Sequence, residues 1–501
     1  MFICFRFQVA VLCAPCLRIT ALGALLVAGV FAVACDSAKN ETAKRPPNIV
    51  LVTFDTTRAD HLGAYGYFRN TSPAFDAFAK ESILFERLIV PMATTLPSHL
   101  SILTSSHPLE HGVLANTTQG GSRFVPAPGL TSFAVSAREA GYATGAFVSA
   151  APLKEGSGIE VGFDTFNQPQ DKNRVGESTA QAAVDWLSSL DREQPYFLWV
   201  HFYDAHFPFE APSPYAGTFG SDTDLEVFIQ QRKIHASAER PLVGLVDDAR
   251  RAANSYDDEL LYQDAQFAVV LAAVRDHAGE AGWDRTAVIV TGDHGEGLCQ
   301  HGEAAHGSTW DEQLNAPLAI RIPGETPRRN RTLLTSSDVF PTALSMLGRS
   351  SVSKVPAFDD YLESAIGNDV LADDFPTAPV LSQDTGRTRG VPFKYALTHG
   401  DFKYFRIENA DGSVDERLYD LGVDPYELRD VSDTLGEMLA DMRNKMQESI
   451  DDRLARGAKL RGDADAVAPE TDPELIVELC ALGYIEQERC AELDSDSGKE
   501  Q

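Results

Sequence analysis

Four short segments of this 501-residue chain concentrate the side chains that metal or acid–base chemistry needs. The strongest is Thr291-Gly292-Asp293-His294-Gly295-Glu296-Gly297, followed by His301 and His306. An Asp-His pair between glycines, directly after an apolar run, reads as a ligand pair in an open loop. Three histidines within 13 residues are hard to explain as core filling. A His nitrogen beside an Asp oxygen suits manganese or zinc better than calcium, which prefers all-oxygen cages. A second segment is Asp55-Thr56-Thr57-Arg58, where Asp55 reads either as a turn or helix cap or as a hard oxygen ligand. A third is Thr94-Thr95-Leu96-Pro97-Ser98-His99. Pro97 suits a first helical turn, so a helix is expected to begin just after Thr95. Thr95 then reads either as an ordinary cap or as a hydroxyl nucleophile at the positive end of a helix dipole, with Ser98 and His99 beside it. The fourth, His201-Phe202-Tyr203-Asp204-Ala205-His206-Phe207-Pro208, offers His206 as a general acid or as a structural histidine.

These residues need elements to bring them together. Asn48–Phe54 is a β-branched, apolar run that ends at Asp55. Tyr196–Phe202 and Thr286–Val290 are similar runs, the latter ending shortly before Asp293. Helical patterns fall at Ser72–Glu81, Leu130–Ala140, Glu177–Leu190 and Leu260–Ala278. Strands alternating with helices predict an α/β fold with a mostly parallel central sheet covered by helices on both faces. Sites in such sheets gather outside the carboxyl ends of strands, where Asp55, His206 and Asp293 all fall. Beyond Pro379, short runs at Lys394–Leu397, Phe402–Phe405 and Arg417–Asp420 predict a small C-terminal antiparallel sheet, closed by a helix over Asp433–Gly457. The domain reading is therefore a catalytic domain over 48–378, a C-terminal subdomain over 379–457 and a tail over 458–501. The substrate walls are expected from Gly121–Pro128, Ser213–Arg251 and the subdomain.

Residues 1–34 read as a signal peptide: Arg6 and Arg18, an apolar run over Ile19–Ala34, and the small residues Ala32-Val33-Ala34 before Cys35. Such a run is too short to favour a membrane span, which needs about 20 apolar residues. Cys35 resembles the lipidated cysteine of a bacterial lipoprotein, with plain secretion and an uncleaved anchor as alternatives. Residues 35–47 read as a polar tether. The expected location is the periplasm or the cell surface. Cys480 and Cys490 read either as a disulfide or as two thiols. With 73 acidic against 43 basic residues and a net charge of −30, the chain is repelled by nucleic acid.

Taken together, FDTTRADHLGAYGY, TLPSHLSILTSSHPLEHGV, HFYDAHFPF and TGDHGEGLCQHGEAAHG resemble the sulfatase family of the alkaline phosphatase superfamily, in order and spacing, from about Asn48 to Asp430. The resemblance implies one divalent metal, manganese or zinc before calcium, on Asp55, Asp293, His294 and Thr95. It implies Thr95 as nucleophile, His206 either contacting the transferred group or protonating the leaving oxygen, His306 on the ester oxygens and Asn116 as a substrate contact. Arg58 is expected to bind substrate, and His99 to assist catalysis. Three positions depart from the family pattern. Thr95 stands where sulfatases carry the Cys or Ser that becomes a formylglycine aldehyde, which a methyl-bearing β-carbon cannot form. His99 replaces an Arg, and Thr56 replaces the second acid of an Asp-Asp pair. Related enzymes with a Thr nucleophile move phosphoryl groups through a phospho-threonine. The expected activity is hydrolysis of a sulfate or phosphate ester of a small molecule, glycan or lipid. A transferase of phosphoryl or phospho-head groups and a non-catalytic binding protein are the alternatives.

Overall fold

The computed structural model describes residues 45–118, 122–170, 172–220, 222–233, 249–349, 357–365, 367–372, 378–386 and 392–462. The signal segment, Cys35, most of the tether, Gly121, residues 234–248, Cys480, Cys490 and the tail beyond 462 lie outside them. Among the described residues no helix is long and apolar enough to cross a membrane.

Asn48–Phe54 forms β1, and all seven residues are buried. It pairs in parallel with β5 (Tyr196–Phe202) on one side and β6 (Thr286–Gly292) on the other. A parallel strand buried on both faces must read as a continuous apolar run, which is why these three were legible. Parallel β3 (Ala143–Val148) and β4 (Thr165–Asn167) extend the sheet beyond β5. On the β6 side come β7 (Asn315–Arg321), β2 (Ile83–Ile89) and β8 (Arg328–Asn330), giving the order β4-β3-β5-β1-β6-β7-β2-β8. Strand β7 runs antiparallel to both neighbours, so the sheet is mixed but mostly parallel.

Alternate residues of the central strands feed two cores. Ile49, Leu51, Phe197, Trp199 and Ile289 face a layer built from α2 (Thr95–Thr104), α3 (Phe133–Glu139) and α6 (Val339–Arg349). Val50, Val52, Leu198, Val200 and Val290 face α1 (Pro73–Ala79), α4 (Gly176–Ser189) and α5 (Ala249–Trp283). The left-handed Gly279 (φ 63°) breaks α5 near its end.

A second, antiparallel sheet is formed by β9 (Val380–Gln383), β10 (Phe393–His399), β11 (Phe402–Glu408) and β12 (Val414–Asp420). Helix α7 (Gly436–Arg461) packs Met442, Met446 and Ile450 against it. This sheet is tied to the loop after β6 by a buried charge group: Lys403 Nζ contacts Asp311 (2.5 Å) and Glu427 (2.7 Å). His301 bridges Glu312 Oε1 (3.0 Å) and the Glu427 carbonyl (3.2 Å), stacked on Trp310.

Strands β2, β3, β4, β7, β8 and β9 escaped the sequence reading. Ala-Thr-Gly-Ala-Phe-Val is too small for a strand signal. Pro317 argues against a central strand. It is accommodated because β2 bulges between Phe85 and Leu88, opposite it. Pro317 also packs directly on Gly292, where no β-carbon would fit.

Candidate active site

The carboxyl ends of β1 and β6 are adjacent, so Asp55, Asp293 and His294 emerge side by side. All three are fully buried, and one ligand atom from each lies within 4.8 Å of the others. Thr95 is the first residue of α2, one place earlier than expected, on the same side of the sheet. Ser98 Oγ donates to the Asp293 carbonyl (2.5 Å) and ties this helix start to the β6 loop.

Hydrogen bonds decide how each group is presented. Asp293 Oδ1 accepts from the amides of Thr56 (3.1 Å) and His294 (2.7 Å). Its Oδ2 has no hydrogen-bond partner and lies 3.4 Å from His294 Nε2. His294 Nδ1 lies 2.9 Å from the Gly295 carbonyl, which can only accept. Nδ1 therefore carries the proton, and Nε2 keeps a lone pair, as a metal-ligating imidazole does. Asp55 Oδ2 receives His201 Nε2 (3.2 Å), and its Oδ1 is left without a partner. The Thr95 hydroxyl lies near enough to Asp55 to favour its charged form, and has no well-aligned partner of its own. Thus Asp55 Oδ1, Thr95 Oγ1, Asp293 Oδ2 and His294 Nε2 are four buried donor atoms in one place that have no hydrogen-bond partner among the described residues.

Buried polar atoms are normally paired. Burial, and then the charge of Asp55, hold the Asp293 carboxyl well above the usual range. Burial also raises Asp55, against the lowering effect of His206, His294 and Thr95. Burial pushes His294 down to about 4, which keeps it neutral. Two crowded carboxylates, a neutral imidazole lone pair and a hydroxyl form a donor set that fits one divalent cation.

Around this set stand three further predicted residues. Asn116 Oδ1 caps the Leu96 amide (2.9 Å), which leaves its Nδ2 donor buried and without a partner. The His306 ring stacks on His294 (4.5 Å between centroids) and meets His206 edge-on (5.0 Å). His206 stacks on Tyr203, and its Nδ1 lies 2.7 Å from both the Tyr203 hydroxyl and the Phe207 carbonyl. The carbonyl accepts, so Nδ1 is protonated and Nε2 is the reactive nitrogen of the neutral ring.

The sequence matches the sulfatase family profile over residues 47–349. The chain belongs to the sulfatase family. It is 24% identical to mouse (Mus musculus) arylsulfatase K over 324 residues, covering 58% of this chain and 57% of that protein's length. It is 24% identical over 387 residues to a multifunctional alkaline phosphatase superfamily protein of Trinickia caryophylli, covering 60% of this chain and 74% of that one. Among solved structures, a putative sulfatase of Bacteroides fragilis superposes with a TM-score of 0.68 at 18% identity, over 85% of this chain and 99% of that one. Membership of this family places the chain among ester hydrolases of the alkaline phosphatase superfamily.

One sequence expectation, that Arg58 binds substrate, is corrected within this sulfatase-family site. His99 stands beside the cluster: Nδ1 lies 2.8 Å from the Thr95 carbonyl and 3.5 Å from Asp293 Oδ2, and Nε2 lies 3.0 Å from Thr53 Oγ1. Trp199 Nε1 also donates to Thr53 Oγ1 (3.0 Å). Both ring nitrogens are used, and the ring anchors the first turn of α2. Arg58 is only 1% exposed and is committed to Asp60, Gln300 and the Glu296 carbonyl. It holds the β1 and β6 loops together and leaves no face for substrate. Of the three clustered histidines, His301 lies outside the site, in the charge group under the second sheet.

The sequence reading missed His201. It looked like part of an apolar strand, but its register places it opposite Thr53, on the face that carries Asp55. A histidine in an otherwise apolar buried run was the available signal.

Proposed function

We propose that this chain is a metal-dependent hydrolase that uses Thr95 as nucleophile, and that it acts on phosphate esters in preference to sulfate esters. The four convergent buried donor atoms without partners carry this reading. Asp55, Asp293, His294 and Thr95 would hold the cation. When bound, the cation would lower the pKa of the Thr95 hydroxyl and neutralise charge on the ester oxygens.

Thr95 Oγ, whose proton would be released to solvent once the cation had lowered its pKa, forms a bond to phosphorus as the bond to the leaving oxygen breaks, at the positive end of α2. The Asn116 amide and the His306 ring meet the non-bridging oxygens, a role for preorganised donors. His206, in the imidazolium form that burial opposes and the Asp55 charge favours, gives its Nε2 proton to the departing alkoxide. The resulting neutral ring then takes a proton from the water that attacks phospho-Thr95, releasing phosphate and returning Thr95 as the alkoxide. Phosphorus is favoured because Thr cannot become the aldehyde that sulfate chemistry uses in this family. The name of the Trinickia caryophylli relative, which joins several activities under one superfamily, accords with a non-sulfate substrate.

The deciding experiment assays the purified chain with manganese or zinc on aryl phosphate, phosphodiester and aryl sulfate esters, beside Thr95→Ala. The expected result is turnover of a phosphorus ester, a loss of at least about 10³-fold in Thr95→Ala, and a trapped phospho-threonine by mass spectrometry. Sulfate turnover that survives Thr95→Ala would overturn the assignment. For its location, the signal-like segment and Cys35 support export and a lipid anchor. Mass spectrometry of the membrane fraction for an acylated Cys35 tests that.

A further inference from the structure

Arg174 lies in the loop between β4 and α4. Its Nε donates to Thr179 Oγ1 (2.9 Å), and its two Nη atoms donate to the side-chain and backbone oxygens of Asn167. All three acceptors are neutral. No described carboxylate pairs with it, whereas Arg58 has Asp60, Arg69 has Asp222 and Asp257, and Arg453 has Glu110. Burial, opposed by no acid, lowers the guanidinium to about 10, so it stays charged at neutral pH. In a chain with 73 acids and 43 bases, a half-buried cation without an acid is conspicuous. A guanidinium has five N–H donors, so part of its fork remains open beyond these three bonds.

Its position joins it to the catalytic cluster. The Arg174 amide bonds the Ser149 carbonyl (3.0 Å), the Ser149 amide bonds His201 Nδ1 (3.3 Å), and His201 Nε2 meets Asp55. Ser149 follows β3, two strands from β1, which puts this region about 10 Å from Asp55 at the usual ladder spacing. Strand β5, which leads to His206, lies between them. The Arg174 main chain therefore lies on the β5 side of Asp55, the side from which the chain leads to His206.

We propose that Arg174 is an anion subsite that binds a second oxyanion, a carboxylate or a sulfo group, carried on the leaving-group part of the substrate. Arginine suits such groups because its planar fork bonds two oxygens at once. The proposal rests on the ester-hydrolase reading of the Thr95 site. It makes the preferred substrates polyanionic rather than simple monoesters.

The test is calorimetric titration of the full chain with manganese, using phenylphosphonate and its 4-carboxy and 4-sulfo derivatives. These ligands carry no cleavable ester. The expected result is that one or both derivatives bind roughly tenfold to a hundredfold more tightly than phenylphosphonate. Whichever derivative gains identifies the oxyanion. That ratio should collapse toward one in Arg174→Gln and be partly retained in Arg174→Lys, with both variants melting like the parent chain. A ratio near one in the parent chain, or one that survives Arg174→Gln, would overturn the subsite while leaving the ester site standing. If phenylphosphonate and both derivatives all fail to bind, the ester-site reading falls together with the subsite.

Discussion

The Ser149 amide donates to His201 Nδ1, so the ring carries its proton on Nε2 and offers it to Asp55 Oδ2. That bond occupies Oδ2 and leaves Oδ1 without a partner among the described residues. Burial holds His201 at about 3, so it stays neutral and serves as a fixed donor. Partners that orient a ligand typically change metal affinity by about 10- to 100-fold when removed. His201→Ala should therefore weaken manganese or zinc binding by about that factor, measured by metal-competition titration. His206 makes a different prediction. If it protonates the leaving oxygen, His206→Asn should cost roughly 10² to 10⁴ in kcat/KM on an alkyl phosphate. The loss should be much smaller on a nitrophenyl phosphate, whose leaving group needs no proton. Equal losses on both substrates would remove His206 from that role.

At the scale of elements, the loop that follows β6 carries the most strain. Leu298, Cys299 and His301 all have positive φ (45°, 68° and 52°), a region disfavoured for residues with a β-carbon. Gly295 must be glycine because the Glu312 carbonyl occupies the place of a β-carbon. Arg58 holds this loop through Gln300 and the Glu296 carbonyl, and His301 holds it through Glu312. Beneath it, Lys403 is fully buried between Asp311 and Glu427. Burial pushes Glu427 up to about 7, against the lowering influence of Lys403. Removing the cation leaves buried acids uncompensated, a change that costs about 3–5 kcal/mol. Lys403→Met should therefore lower stability by roughly that amount in denaturant titration. The same variant should impair turnover, because the loop bearing His306 rests on this group. Unchanged stability would show that the second sheet does not support the loop.

For the molecule as a whole, the candidate metal site predicts a link between stability, pH and cation. Asp55 and Asp293 have folded pKa values above the ordinary carboxylate value. A raised folded pKa stabilises the fold below the unfolded value, near 4, and that stability is lost as pH rises through the folded pKa. The metal-free chain should thus be progressively destabilised from mildly acidic to neutral pH. A divalent cation should reverse this, adding about 2.7 kcal/mol at a free concentration a hundred times its Kd. Thermal melts from pH 5 to 8, with manganese and with chelator, should show a gap that widens with pH. A gap that is absent or shrinks as pH rises would count against the donor set.

Local chemistry in the sequence already determined the three central parallel strands β1, β5 and β6, because a strand covered on both faces by large side chains reads as an unbroken apolar run. It also singled out Asp293 and His294 as a candidate ligand pair, since glycine-flanked polar residues after such a strand have little structural alternative. The order of the four motifs identified the family. Only the tertiary structure could sort residues of one type by role. His99, His201, His206, His294, His301 and His306 are chemically identical in the sequence, and they differ by which carbonyl, hydroxyl or carboxylate the fold places beside each ring. Arg58 and Arg174 part for the same reason. One is closed in by Asp60, and the other is held by neutral oxygens and left with its charge uncompensated. Such partners lie up to 242 residues apart, as Arg58 and Gln300 do, and no local pattern encodes them.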